Sequence, residues 1–335
     1  MSAATMHDGS NPVLVEIVRA GHVESVHRGA ACVVDTSGRL LHQWGDVAES
    51  ICPRSAVKPF QAIPLIESGA ADAAGLGLEE LSLACASHGG EPVHVTRVSA
   101  WLARIKCTAA DLECGTHLPT STEAAEALLR AGETPCPLHH NCSGKHTGFL
   151  TLARHAGWNT QGYTEANHPV QRAALEALAK MADCDPVKWP VVRDGCSAAN
   201  VFLPLHALAR SWAHLGTTPA TTRLLDAMKA HPILMSGHGH ACATMIGAIK
   251  GRGVVKLGAE GVYAAVLPER GLGIALKIDD GASRASVIAM AALLTWLDAF
   301  APDAAESIHA LRTPAIKAAA GSVTGHMRPA ADWLT

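Results

Sequence analysis

The chain has 335 residues, of which 48% are hydrophobic and 17% are charged, and its formal net charge is −3. This length is enough for one large domain or two closely packed ones, and the absence of a basic excess argues against a nucleic-acid partner. No segment approaches about 20 uninterrupted apolar residues, and the N-terminal stretch MSAATMHDGSNP lacks the basic and apolar regions of a signal peptide. We therefore expect a cytoplasmic protein.

The predicted elements fall into three groups along the chain. Four strands come first, at residues 13–19, 23–28, 31–35 and 39–45, and the turn sequence Asp35-Thr36-Ser37-Gly38 joins the last two into a hairpin. A helical middle follows, with helices near residues 55–68, 79–86, 94–106, 121–131, 144–156, 168–182, 197–215 and 219–231. Strands return at about 253–257, 260–267 and 271–279, before an amphipathic helix at about 283–300.

Strands at both ends of a helical middle predict an α+β fold. The simplest arrangement pairs both groups of strands in one antiparallel sheet with flanking helices, and packs the middle helices against it as a helical lobe. We expect a single catalytic domain over residues 13–300, with its sheet from about 13–45 and 253–279 and its lobe at about 55–231. A cleft would lie between sheet and lobe, and residues 301–335 would form a C-terminal extension, loosely attached from residue 313.

The first candidate site is the tetrapeptide Ser55-Ala56-Val57-Lys58. Residues at i and i+3 share a face of a helix, so the Lys58 amine could take the Ser55 hydroxyl proton if the lysine is neutral for part of the time. Arg54 and the helix N-terminus are local sources of positive potential that would lower a lysine pKa. S-x-x-K is a common sequence, however, so its meaning depends on other motifs.

Two further motifs follow in order. Ser87 lies in ACASHGGE, and Lys256 lies in VKLGAEG before a predicted strand. Alone, the first could be a helix C-cap and the second a glycine turn at a sheet edge. An S-x-x-K, a serine loop and a K-x-G strand in this order match penicillin-binding proteins and class A β-lactamases, and the last strands also resemble those of serine-dependent glutaminases.

A candidate metal site lies in two other segments. Cys142 and Lys145 belong to NCSGKH, and Cys196 belongs to DGCS. Thiolates are strong zinc ligands, whereas lysine is a rare one because its nitrogen must first lose a proton. The residues alone therefore leave open whether a metal binds here.

Taken together, RSAVKP, ASHGGE, HNCSGKH, DGC and KLGAEGV resemble the rhizobial-type, or class 3, L-asparaginases of the Asparaginase_II family, from about residue 13 to 300. The resemblance implies a serine β-lactamase-like fold, a homodimer, and hydrolysis of L-asparagine to L-aspartate and ammonia (EC 3.5.1.1) with little action on glutamine. It also implies site residues: Ser55 is the nucleophile and Lys58 its base, Ser87 pairs with a second lysine, and Cys142, Lys145 and Cys196 hold zinc.

Several assignments stay open within this interpretation. Lys256 is favoured as the second lysine, and Lys277 on the next predicted strand is the alternative. Arg54, His146 and Asp194 adjoin the motifs and are candidates for holding the α-carboxylate and α-ammonium groups of the substrate. Zinc could act as a Lewis acid, but a role in positioning two loops is favoured because the serine already supplies a nucleophile.

Two kinds of rival function remain. One is the same chemistry on another substrate, as in a glutaminase or another Ser/Lys amidohydrolase. The other is a non-catalytic, zinc-dependent ligand-binding protein that keeps a hydrolase fold.

Overall fold

A computed structural model describes residues 11–334, so most of the N-terminal stretch used to predict the absence of a signal peptide lies outside it. The strands are β1 (Val13–Arg19), β2 (His22–Asp35), β3 (Leu40–Trp44), β4 (Ser50–Ile51), β5 (Val191–Arg193), β6 (Ala199–Val201), β7 (Leu203–Pro204), β8 (Val254–Leu257), β9 (Val262–Leu267), β10 (Leu272–Ile278), β11 (Ala315–Lys317) and β12 (Val323–Pro329). The helices are α1 (Lys58–Gln61), α2 (Ile63–Glu67), α3 (Ala70–Ala73), α4 (Leu78–Ala84), α5 (Pro92–Arg104), α6 (Thr122–Arg130), α7 (Ser143–His155), α8 (Pro169–Ala182), α9 (Leu205–Ala213), α10 (Pro219–Ala230), α11 (Pro232–Met235), α12 (Ala241–Ile249), α13 (Ser283–Trp296) and α14 (Ala305–Arg312). Across residues 11–334, no helix combines the length and the apolar character that crossing a membrane requires.

One antiparallel sheet joins the two ends of the chain. Its order is β11-β12-β1-β2-β10-β9-β8, and β3 pairs with β2 beside this path. The long strand β2 makes this possible, because its first half pairs with β1 and its second half pairs with both β10 and β3. The predicted hairpin between β2 and β3 is confirmed, and so is the α+β architecture of an antiparallel sheet with flanking helices and a helical lobe.

Helices cover both faces of the central strands. Every residue of β9 is buried, which requires cover on both faces because successive side chains of a strand point to opposite sides. Helices α9 and α13 both pack on β10 and β9. At Gly273 a Cβ atom would lie 2.0 Å from the Ala209 carbonyl oxygen of α9, so only glycine allows this close approach.

Helix α7 passes through the helical lobe. Its residues from Ser143 to Ala153 are all buried, and α3, α4 and α5 pack around it. The first turn of α7 carries the NCSGKH motif, so this motif enters the interior of the lobe rather than its surface. The polar side chains at this buried helix start need hydrogen-bond partners nearby.

Four predicted elements differ from the structure. The helix predicted at 55–68 is a 3-10 helix, Arg54–Val57, followed by the short α1 and α2, because Pro59 and Pro64 interrupt the helical hydrogen bonds. The helix predicted at 197–215 begins only at Leu205, after Pro204 has closed strand β7. Strands predicted at 23–28 and 31–35 are one strand, β2.

The C-terminal segment belongs to the sheet. Strand β12 pairs antiparallel with β1, and β11 pairs with β12. Trp333 is buried and packs edge-on against Trp44, with ring centroids 5.5 Å apart. The predicted loose attachment from residue 313 is therefore wrong, and the predicted sheet limits of 13–45 and 253–279 omit two strands. The C-terminal segment is held in the sheet because β12 covers the edge of β1, which would otherwise expose unpaired backbone groups.

Candidate active site

Ser55 lies in a strained turn. It is the second residue of the 3-10 helix Arg54–Val57, and Arg54 before it has a φ of +50°, in the left-handed region. A residue other than glycine held in this region costs about 1–3 kcal/mol, and such strain concentrates at functional sites. Ser55 itself is partly buried, whereas the residues after it, from Ala56 to Gln61, are buried. The surrounding core thus holds the serine at a fixed position.

Two buried lysines meet at Ser87, which follows the end of α4. Lys58 Nζ on α1 donates hydrogen bonds to Ser87 Oγ at 2.8 Å and to the Ala86 carbonyl at 2.6 Å. Lys256 Nζ on β8 lies 2.9 Å from the same Ser87 Oγ and 3.3 Å from the Leu257 carbonyl. Each lysine is only 1% exposed. The structure therefore joins lobe and sheet through Lys58, Ser87 and Lys256.

The electrostatic environment of Lys256 favours its neutral form. Burial, followed by the charge of Lys58, lowers the pKa of Lys256 from 10.5 to about 7. Near neutral pH a large fraction of Lys256 is then an uncharged amine that can accept the Ser87 hydroxyl proton. The alternative lysine, Lys277, is half-buried on β10 and donates to the Ile278 carbonyl instead.

Ser55 and Lys58 do not form a direct pair here. Across residues 11–334, no hydrogen bond joins Ser55 Oγ to Lys58 Nζ, because the amine points towards Ser87. Catalytic hydrogen bonds are often long without substrate and tighten in the complex. The assignment of Lys58 as the base of Ser55 therefore stays a prediction. The structure adds that the same amine contacts Ser87.

Arg54 and Asp194 form an ion pair beside the serine turn. Arg54 Nε donates to Asp194 Oδ1 at 2.7 Å, and the Gly195 N–H donates to the same oxygen at 2.7 Å. Burial and Cys196 act to raise the pKa of Asp194, but Lys145 and Arg54 outweigh them and hold it below its ordinary value. Both members of the pair line an open cleft of about 820 Å³.

Asn200 completes this pair, and we did not predict it. Its Nδ2 donates to Asp194 Oδ2 at 3.0 Å and to the Arg54 carbonyl at 3.2 Å. It thereby ties the Asp194 carboxylate to the backbone of the strained turn. Nothing in the sequence distinguishes Asn200 from the other residues of the helix predicted at 197–215, so the structure alone reveals this contact.

The predicted metal ligands lie together. Cys142 is the N-cap of α7, Lys145 is in its first turn, and Cys196 lies in the turn between β5 and β6. Lys145 Nζ donates to Cys196 Sγ at 3.1 Å, and the Cys142 thiol, which lies beside Cys196, donates to Asn141 Oδ1 at 3.2 Å. The interaction with Cys142 is the largest cause of a lowered pKa at Cys196, and the same interaction raises the pKa of Cys142. Cys142 and Lys145 therefore both favour the ionised form of Cys196.

The comparison with known families decides the identity. The family model described as L-asparaginase II matches residues 15–329, which is nearly all of the described chain. The chain belongs to the L-asparaginase II family. Membership confirms the resemblance seen in the motifs, and it makes this chain an asparaginase-type amidohydrolase that acts on a small molecule. No curated protein is detectably similar to it.

Solved structures with some similarity to this L-asparaginase II family member are remote in sequence. One is a putative β-lactamase from Bacteroides dorei, with 13% identity, a TM-score of 0.42, and coverage of 76% of this chain and 87% of that chain. Another is Mglu, with 14% identity, a TM-score of 0.40, and coverage of 82% and 68%. A third is a β-lactamase from Mycobacterium bovis, with 15% identity, a TM-score of 0.32, and coverage of 84% and 94%.

In this family member the donor set suits a thiolate-binding metal. Two cysteine sulfurs and one amine converge in the interior, which fits the zinc that the resemblance to rhizobial-type asparaginases implies. Across residues 11–334, no three His, Cys, Asp or Glu side chains form a ligand group.

The remaining predicted residue, His146, contacts Tyr163 and the cysteines. It is fully buried, its Nδ1 lies 2.8 Å from the Tyr163 hydroxyl, and its ring is near Cys196. Across residues 11–334, no hydrogen bond joins His146 to Arg54 or Asp194.

Cys242 is a second buried thiol, and it belongs to none of the motifs of the sequence analysis. It begins helix α12, which was not predicted, and its sulfur lies 3.0 Å from the Tyr263 hydroxyl and accepts from the Leu257 N–H at 3.3 Å. Burial opposes ionisation of Cys242, but His240 and Lys256 lower its pKa overall. The apolar sequence of α12 lacks a periodic pattern, which is why neither the helix nor the contact was predicted.

Proposed function

We propose that the chain is an L-asparagine amidohydrolase that produces L-aspartate and ammonia through an acyl-enzyme. The observation that carries this proposal is the hydrogen-bonded series Lys58–Ser87–Lys256, which begins three residues from Ser55 in a member of the L-asparaginase II family. Together with Ser55 as the nucleophile, this series would supply what amide hydrolysis needs: a neutral amine and a route for protons.

In the first half of the reaction, Ser55 attacks the side-chain amide of asparagine. Lys58 first passes a proton through Ser87 to neutral Lys256 and, once uncharged, takes the Ser55 hydroxyl proton as a bond forms between Oγ and the amide carbon. Because Ser87 contacts both amines, a proton on Lys58 can move to Lys256, whose pKa of about 7 suits a proton acceptor. The amide nitrogen then takes a proton from a lysine, its bond to carbon breaks, and ammonia leaves.

In the second half, water replaces ammonia. The same amines take a proton from water, whose oxygen attacks the β-aspartyl ester, and Ser55 Oγ regains a proton as aspartate departs. Backbone N–H groups near the strained turn would stabilise the oxyanion in both halves, and one such donor contributes about 3–4 kcal/mol.

The Arg54–Asp194 pair is the proposed site for the α-groups of the substrate. A guanidinium can bind the α-carboxylate and a carboxylate can bind the α-ammonium, and both side chains face the 820 Å³ cleft. Asn200 and the Gly195 N–H fix the Asp194 carboxylate, so the pair is ordered before substrate arrives. His146 is not used for substrate in this proposal, because it lies with the cysteines.

Zinc is the proposed cofactor, held by Cys142, Lys145 and Cys196. When bound, it would supply positive charge and a rigid link between the start of α7 and the turn that carries Asp194. The homodimer and the cytoplasmic location also remain part of the proposal, and they rest on the resemblance and on the N-terminal sequence.

The function is tested by ammonia release from L-asparagine and, in parallel, from L-glutamine. The purified zinc-loaded protein should turn over asparagine much faster than glutamine. Equal or faster turnover of glutamine would make the chain a glutaminase, and binding of asparagine without ammonia release would favour the ligand-binding protein.

A further inference from the structure

His146 is buried next to the proposed metal ligands but has no predicted role with them. It follows Lys145 on α7, and its side chain is 0% exposed. Its Nδ1 lies 2.8 Å from the Tyr163 hydroxyl, and the Glu113 N–H donates to the same hydroxyl oxygen at 2.8 Å. A buried imidazole held this firmly has a defined orientation.

The Tyr163 contact indicates which nitrogen of His146 carries the proton. The Tyr163 oxygen already accepts from Glu113, and its own proton needs an acceptor, which His146 Nδ1 provides. A neutral imidazole that accepts at Nδ1 carries its proton at Nε2. The second nitrogen of His146 is therefore a donor.

That donor is directed towards the cysteines. His146 Nε2 is buried and, within residues 11–334, has no hydrogen-bond partner of normal geometry. The His146 ring nevertheless lies within reach of the Cys196 side chain. A buried N–H without a good partner is costly, so this position needs a nearby acceptor.

We propose that His146 is a positioning residue of the metal site, with its Nε2–H directed at the Cys196 sulfur so that it orients this thiolate as a ligand. The inference rests on the zinc site of the proposed function. Outer groups that hydrogen-bond to metal ligands fix ligand orientation, and their loss weakens metal binding by about 10–100-fold.

The test compares zinc affinities, measured by competition with a chromophoric chelator. His146→Leu removes the donor and should weaken zinc binding about 10–100-fold. His146→Gln can place an amide N–H in the same direction and should recover most of the affinity. Tyr163→Phe should weaken binding in the same direction but less, because it only frees the imidazole to change tautomer.

The matched control is Thr151→Val on the same helix. Thr151 is buried and hydrogen-bonded to Trp101 and Thr147, away from the cysteines, so its loss should leave zinc affinity unchanged. Wild-type affinity in His146→Leu, or equal loss in the Leu and Gln variants, would overturn the inference.

The cobalt-substituted protein distinguishes positioning from direct ligation. If His146 only orients Cys196, the ligand-field bands of cobalt in His146→Gln should match those of the wild type. A changed band pattern would show a direct ligand and contradict the inference. Failure of the wild type to bind zinc would remove the metal site and this inference together, whereas ammonia release tests the asparaginase separately.

Discussion

Lys256 is a buried amine whose pKa is lowered to about 7 by burial and by the charge of Lys58. A base must be uncharged, so we expect kcat/KM for asparagine to rise as the pH increases through about 7 and then to level off. The measurement is a pH profile of ammonia release by the zinc-loaded protein. A rate that is constant between pH 5.5 and 8.5 would contradict the role of Lys256.

The same amine should destabilise the folded state. The pKa of Lys256 is about 7 in the folded protein and ordinarily 10.5, so the unfolded chain binds more protons between these pH values. The cost of burying the amine is therefore full below pH 7 and falls as the pH approaches 10.5. We expect Lys256→Met to lose activity but to unfold with a free energy higher by about 1–4 kcal/mol near pH 7.

Urea unfolding of wild type and Lys256→Met at pH 7 and pH 9.5 measures this difference. The increase in the free energy of unfolding caused by Lys256→Met should be smaller at pH 9.5 than at pH 7. A gain that is the same at both pH values would show that it comes from packing instead of charge.

Residue identities were predictable where they belonged to motifs. Ser55, Ser87 and Lys256 could be selected because each stands in a short pattern whose order matches a known type of site. Their mutual contacts were not predictable: Lys58 lies three residues from Ser55 but hydrogen-bonds to Ser87, because the direction of an amine depends on tertiary packing. Asn200 had no motif to mark it.

At the scale of elements, Glu91 joins the loop of Ser87 to the loop before α12. Its carboxylate accepts from the His238 N–H at 2.9 Å and from the His238 ring, and it is nearly buried. A Cβ at Gly237 would lie 2.5 Å from Glu91 Oε1, so the two loops touch. Glu91 thus fixes the loop that presents Ser87.

We expect Glu91→Ala to lower the free energy of unfolding by about 1–3 kcal/mol and to lower kcat. The readouts are urea unfolding and ammonia release. Glu79→Ala is the control, because Glu79 pairs with Arg97 at the surface and such pairs contribute little. Unchanged kcat in folded Glu91→Ala would contradict the role of this contact in the site.

The C-terminal strands should be needed for stability. Trp333 packs on Trp44 at the end of the segment that covers β1, so Trp333→Ala should lower the free energy of unfolding by about 3 kcal/mol. Urea unfolding measures this loss, and Leu129→Ala, at an exposed leucine of α6, is the control. A loss below 1 kcal/mol would show that the end of the chain is loosely attached after all.

Periodic sequence predicted most elements, and its absence explains the misses. Strand β1 and helices such as α7 and α8 match their predicted positions within about a residue because their apolar spacing is regular. Strand β12, VTGHMRP, has no alternating apolar pattern, and its residues are exposed or half-buried. Its pairing is determined by the free edge of β1, which local sequence does not encode.

At the scale of the molecule, the candidate site forms where sheet and lobe meet. Lys256 comes from strand β8, whereas Lys58 and Ser87 come from the lobe, so the site exists only when both parts are packed together. The antiparallel sheet and the helical lobe could be predicted from the order of elements. The distances between groups remote in sequence could not, because they depend on how the lobe docks.

The central claim is that Ser55 attacks the carboxamide of asparagine. It is tested most directly by incubating the zinc-loaded protein with an asparagine analogue that carries a diazomethyl ketone in place of the carboxamide, and by locating the label with peptide mass spectrometry. We expect a label on the peptide that contains Ser55 and a parallel loss of ammonia release. L-asparagine should protect the protein against labelling, and folded Ser55→Ala should carry no label. A label on Ser87, or full inactivation with Ser55 unmodified, would contradict it.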